Sequence, residues 1–152
     1  MTAHPTVHAS AVLTGARAVL IRGPAGAGKS RLALALVSGA KAGLLRFARL
    51  VADDRVHLEA HHNRLVARPP EALAGLIEVR GVGIRKLEHE PAAVIGLVVD
   101  LAAEDAERLP GADDAVVYGV KLPRLAVGVG ADPLPPLLAL LQTSVRDIKP
   151  RS

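Results

Sequence analysis

Gly23-Pro24-Ala25-Gly26-Ala27-Gly28-Lys29-Ser30 leaves little choice in how the chain around it folds. The stretch fits G-x-x-x-x-G-K-[ST] at every fixed position, a pattern that works only between a strand and a helix. Both flanks are present. Ala18–Arg22 reads as a strand, and Lys29–Ser38 reads as a helix with Leu32, Ala33 and Leu36 on one side, closed by Gly39. In that setting the backbone N–H groups from Gly23 to Gly28 turn inward around phosphate oxygens, and the helix N-terminus adds partial positive charge. Lys29 would reach the β- and γ-phosphates of a nucleoside triphosphate, and the Ser30 hydroxyl would ligate Mg²⁺. The motif does not say whether the phosphoryl group goes to water, a metabolite or a protein.

Further strands are expected at Val7–Leu13, joined to Ala18–Arg22 by a turn at Thr14-Gly15, and at Leu50-Val51-Ala52. Arg55–Ala60 and Arg64–Ala67 suggest a hairpin around His62-Asn63. Pro69-Pro70 opens a short helix through Ala74 that Gly75 stops. Leu76–Val79 and Val94–Val99 read as strands, as do Ala115–Val120 and Arg124–Val129, interrupted by Pro123. Leu134–Lys149 reads as a C-terminal helix. One strand–loop–helix unit followed by many strands implies a mixed α/β sheet rather than a regularly alternating one. At 152 residues, with no repeat and no linker before Pro133–Pro136, a single domain over 1–152 is expected.

Composition removes several classes of function. The aromatic residues are Phe47 and Tyr118, so the stacking platform of a single-strand nucleic-acid binder is missing. The net charge of +4 comes from basic residues scattered among acidic ones, which fits a solvated surface and no nucleic-acid partner. Without cysteine there is neither a disulfide framework nor a thiolate metal site, and a cytoplasmic location is expected. The longest apolar stretches, such as Val94–Val99 and Leu137–Leu141, fall far short of the ~20 residues that span a bilayer, so no membrane partner is expected.

Asp53-Asp54, at a strand end after the helix, could present carboxylates to a metal and to an attacking hydroxyl, or could be a polar turn. Adjacent carboxylates on a strand point to opposite sides, so at most one would face an acceptor.

Four segments in order carry a resemblance: His8-Ala9-Ser10-Ala11-Val12, the loop Gly23–Ser30, Leu50-Val51-Ala52-Asp53-Asp54-Arg55-Val56, and Ile77-Glu78-Val79-Arg80-Gly81-Val82-Gly83-Ile84. Together they resemble the catalytic domain of HPr kinase/phosphorylase, the last segment being the most specific. The resemblance implies a mixed-sheet P-loop kinase domain of the HPr kinase / phosphoenolpyruvate-carboxykinase-like type. It implies ATP and Mg²⁺ as cofactors, and as acceptor a serine of HPr or an HPr-like phosphocarrier of the phosphotransferase system. Phosphorolysis of the phosphoserine by inorganic phosphate is the implied reverse reaction.

By the same resemblance Lys29 and Ser30 hold phosphate and Mg²⁺, and Glu78 is a second metal ligand. One Asp of the pair Asp53-Asp54, Asp54 being favoured over Asp53 beside it, takes the proton from the acceptor serine; His8 tunes that aspartate, and Arg80 and Gly81 lie near the site. Arg108, in Glu107-Arg108-Leu109-Pro110, is a further candidate by likeness to a D-R-L-G segment. Of the six histidines, His57, His61, His62 and His89 lack convincing ligand spacing.

Departures are also visible. His8 lies almost at the start, which suggests a catalytic-domain-only form, and Arg85–Glu90 replaces most of the family's mobile loop. The family's Pro-Gly-Arg-Asn segment is not visible among Ala126–Pro136, which puts the hexameric homo-oligomer and its regulation in question. The alternatives are a small-molecule P-loop kinase and a nucleotide-sensing regulatory module. Ile77–Ile84 speaks against the first, and the intact Asp53, Asp54 and Glu78 against the second.

Overall fold

The computed structural model describes residues 5–106 and 114–142. Its main sheet is built from β1 (Ser10–Leu13), β2 (Ala18–Arg22), β3 (Arg49–Ala52), β8 (Ala93–Asp100), β9 (Asp114–Val117) and β10 (Val120–Ala126), in the order β3-β1-β2-β8-β10-β9. The hairpin of β4 (His57–His61) and β5 (Arg64–Arg68) joins through β5, which pairs antiparallel with the start of β8. β2, β8 and β10 run parallel and the remaining neighbours antiparallel, so the sheet is mixed, as the sequence predicts. β6 (Leu76–Val79) and β7 (Gly83–Lys86) form a separate two-stranded sheet.

The central strands are buried on both faces, which explains their unbroken apolar runs. Val12, Val19 and Ile21 pack with Leu32, Ala33 and Leu36 of α1 (Lys29–Lys41), together with Ile77 from β6. Ala11, Ala18 and Leu20 share the opposite core with Leu58 and Leu65 of the hairpin and Val117, Val120 and Leu122 of β9 and β10. The helix at the other end of the chain, α2 (Leu134–Gln142), adds the buried Leu137 to the α1 side.

Three expectations need correction. The first helix does not stop at Gly39: it runs to Lys41, and Gly39 lies buried within it. The stop is Gly43, at φ 86°, where Leu44 N–H donates to Gly39 O at 2.8 Å and Gly43 N–H to Ala40 O at 3.2 Å. This pair of bonds satisfies the last carbonyls through a left-handed residue that glycine adopts without a Cβ penalty. Pro123 does not separate two strands either. It lies inside β10, opposite Asp114, where pairing passes from β9 to β8, and the turn of the β9–β10 hairpin is Tyr118-Gly119. The short helix after Pro70 is a single 3₁₀ turn, Glu71–Leu73.

The hairpin at His62-Asn63 is as expected, with φ 51° and 60° at its two turn residues. The expected C-terminal helix is described as far as Gln142, and its remainder lies outside the described residues. Among the described residues no helix is long and apolar enough to cross a membrane.

Candidate active site

The loop between β2 and α1 has the shape its sequence demands. Gly28 stands at the helix start with φ 102°, a conformation that a side chain would strain, and Leu32 N–H opens the helical ladder on Gly28 O at 2.9 Å. Lys29 is 8% exposed and folds back over the loop, its Nζ donating to Gly23 O at 2.8 Å and Pro24 O at 3.2 Å.

The next residue reaches the acidic pair. Ser30 Oγ lies 2.8 and 2.9 Å from the two carboxylate oxygens of Asp53. From the other side Ser10 Oγ donates to Asp53 Oδ1 at 2.8 Å. Asp53 is 6% exposed, and none of the ion pairs among the described residues involves it. A buried carboxylate beside a hydroxyl supplies the hard oxygen donors that Mg²⁺ prefers.

Asp54 faces the other way. Its φ is 67°, and Arg55 N–H donates to Asp53 O at 2.7 Å, so the chain makes a γ-turn of the rare positive-φ kind centred on Asp54. Ala9 N–H, just before β1, donates to Asp54 O at 3.2 Å and ties the turn down. The turn sends the Asp53 carboxylate inward and leaves the Asp54 side chain 67% exposed, with His8 Nδ1 3.9 Å from its Oδ1.

The remaining candidates are more dispersed. Glu78 is exposed on β6, in register with Ile84 of β7. Among the described residues no three His, Cys, Asp or Glu side chains form a metal-ligating group. Arg80 and Gly81 occupy the turn of the β6–β7 hairpin. Arg108 lies outside the described residues.

Two features escaped the sequence reading. A cleft of about 750 Å³ opens on the other flank of the loop, walled by Pro24–Gly28 and Arg31 on one side and by Val127–Leu134 on the other. The run Val127-Gly128-Val129-Gly130 just after a strand was the available signal. Below the cleft, Arg22 grips Asp100 with two bonds, at 2.7 and 2.8 Å, and Arg124 Nε donates to the same carboxylate at 2.6 Å. Arg124 also forks onto Asp105 at 2.9 and 3.0 Å. Burial alone would raise the Asp100 pKa, but the bonds from Arg22 and Arg124, and then their charges, hold it below the ordinary carboxylate value. Asp105 is lowered by the bond from Arg124, and Arg124 is held above its ordinary value by Asp105 and then Asp100.

A glycine-rich loop between a strand and a helix, on a mixed sheet that sets a carboxylate against the loop's serine, defines a P-loop domain. More particularly, the chain belongs to the HPr serine kinase C-terminal domain family, whose model matches residues 1–131. The HPr kinase/phosphorylase of Azoarcus sp. (strain BH72) is 37% identical over 142 residues, covering 84% of this chain and 42% of that protein. That of Enterococcus faecalis is 36% identical over 137 residues, covering 82% and 42%. The solved HPr(Ser) kinase/phosphatase of Coxiella burnetii superposes with a TM-score of 0.71 at 25% identity, covering 95% of this chain and 90% of that one. The chain thus spans about two fifths of the curated relatives it matches. The mixed-sheet fold that the motifs implied is the fold of this family.

Proposed function

We propose that this domain transfers the γ-phosphoryl group of ATP to a serine of an HPr-type phosphocarrier protein of the phosphotransferase system, and phosphorolyses the product with inorganic phosphate. The observation that carries this reading is the divided acidic pair. Asp53 is turned inward onto Ser30 at the loop, and Asp54 is turned outward beside His8.

Lys29 would exchange the carbonyls of Gly23 and Pro24 for phosphate oxygens, and the backbone of Gly23–Gly28 would cradle the remainder. Ser30 and Asp53 are the residues that would hold Mg²⁺, with Glu78, on the β6–β7 hairpin, the candidate for a further ligand. When bound, the metal supplies positive charge against the phosphates. The cleft beside the loop is of a size to take the nucleoside.

A serine hydroxyl is a weak nucleophile, so alignment and proton removal dominate the protein's contribution. Asp54 takes the proton as the serine oxygen bonds to the γ-phosphorus and the bond to the β-phosphate oxygen breaks, releasing ADP. His8 steadies that carboxylate. In the reverse direction Asp54 returns the proton to the serine oxygen, while inorganic phosphate takes the phosphoryl group and leaves as pyrophosphate. A cytoplasmic location also follows from this reading, and sedimentation of the purified protein would decide whether the family's homohexamer survives the departures in sequence.

The deciding experiment follows ³²P from γ-labelled ATP to purified HPr-type carrier in Mg²⁺, comparing the native chain with Lys29→Ala and Asp54→Asn. Label on a carrier serine that disappears in both variants is expected. Labelling of a small molecule, or nucleotide binding with no transfer, would replace the reading with a metabolite kinase or a sensor.

A further inference from the structure

Ser10 is fully buried in β1 between Ala9 and Ala11, and the transfer chemistry outlined above makes no use of it. A hydroxyl in such a place is costly unless it is bonded, and alanine would fill the space as its neighbours do. Ser10 instead touches both members of the acidic pair. Its Oγ accepts from Asp54 N–H at 3.2 Å and donates to Asp53 Oδ1 at 2.8 Å. Chemistry fixes these directions: an amide N–H can only donate, so the hydroxyl receives that proton and turns its own toward the carboxylate.

We propose that Ser10 is a positioning residue for phosphoryl transfer, which sets Asp53 against Ser30 and holds the turn at Asp54 so that the second carboxylate faces outward beside His8. The proposal rests on Asp54 as the proton acceptor. A non-glycine residue at positive φ keeps that conformation only while its surroundings impose it. Around Asp54 those surroundings are the Arg55 N–H bond to Asp53 O, the Ala9 N–H bond to Asp54 O, and Ser10. Without the Ser10 hydroxyl, Asp54 N–H and the buried Asp53 carboxylate each lose a partner together. The turn can then relax toward an ordinary φ, carrying the Asp54 side chain away from the acceptor.

The test compares Ser10→Thr with Ser10→Val, two side chains of one shape that differ in the hydroxyl. In transfer to the HPr-type carrier, kcat of the valine variant should fall about 10- to 100-fold below that of the threonine variant. KM for ATP should stay within about 2-fold, because Asp53 keeps its contact with Ser30 while Asp54 N–H is left without a partner. The Asp54 amide should exchange with solvent faster in the valine variant alone. Ser10→Ala serves the same comparison, against native protein, where the larger side chains do not fit. Equal kcat in the threonine and valine variants, or a change confined to KM, would overturn the proposal. If native protein labels no carrier, the kinase reading falls instead. The exchange measurement then stands alone: faster exchange in valine than in threonine supports the hold on the turn, and equal exchange overturns it.

Discussion

Two carboxylates stand at strand ends on either flank of the phosphate loop, and they are held in opposite ways. Asp53, after β3, is bonded by two neutral hydroxyls and by no cationic side chain among the described residues. Asp100, ending β8, is gripped by two guanidiniums that spend its charge within the fold. Burial acts on both. An ion already paired on every side is scaffolding, whereas a buried charge with only hydroxyl partners is poised for a ligand.

Substitutions on the two flanks should therefore separate activity from stability. The largest effect is expected on the Asp53 flank for its exposed neighbour, Asp54→Asn, which should lower phosphoryl transfer about 10²- to 10⁴-fold with little change in melting temperature, the size that loss of a general base produces. Asp100→Asn should do the reverse. It strips the charge from a part-buried ion pair and should cost about 2 kcal/mol in urea unfolding while kcat changes by less than about 3-fold. Equal losses of transfer in the two variants would erase the distinction between the flanks.

Acid sharpens the same contrast. The folded-state pKa of Asp100 lies below its unfolded value, so the folded protein binds fewer protons there. Its contribution is complete above the unfolded value of about 4 and is lost as pH falls through the folded one. Unfolding midpoints of native protein and Asp100→Asn should accordingly converge as pH falls below about 4. The smallest effect is expected for Asp105→Asn. That carboxylate is exposed, and its loss should shift the melting temperature by no more than about 2 °C.

What the sequence revealed follows the range of the interactions concerned. The loop, its flanking elements and the turn at His62-Asn63 are specified by neighbouring residues, and all three were legible. Gly39 and Gly43 look alike as helix stops; the choice of Gly43 depends on where Leu44 goes, which brings its backbone onto Gly39 O. Pro123 was misread as a break because its tolerance depends on β10 changing partners at that residue. Asp53 and Asp54 are both visible in the sequence, but the residue that bonds to both, Ser10, lies 43 positions from Asp53. The second wall of the cleft comes from Val127–Leu134, a hundred residues beyond the loop it faces.

β8 has a consequence for how the molecule is made. The phosphate-loop strand has β1 on one edge, but its other edge is covered only when Ala93–Asp100 arrive, Asp100 following Arg22 by 78 positions. During synthesis, then, the most functional strand of the domain is for a long interval an apolar strand with bare hydrogen-bonding groups, open to pairing with another chain. Non-local closure of this sort slows folding. The loop leaves the ribosome well ahead of β8, and it acquires its shape only after that strand has followed.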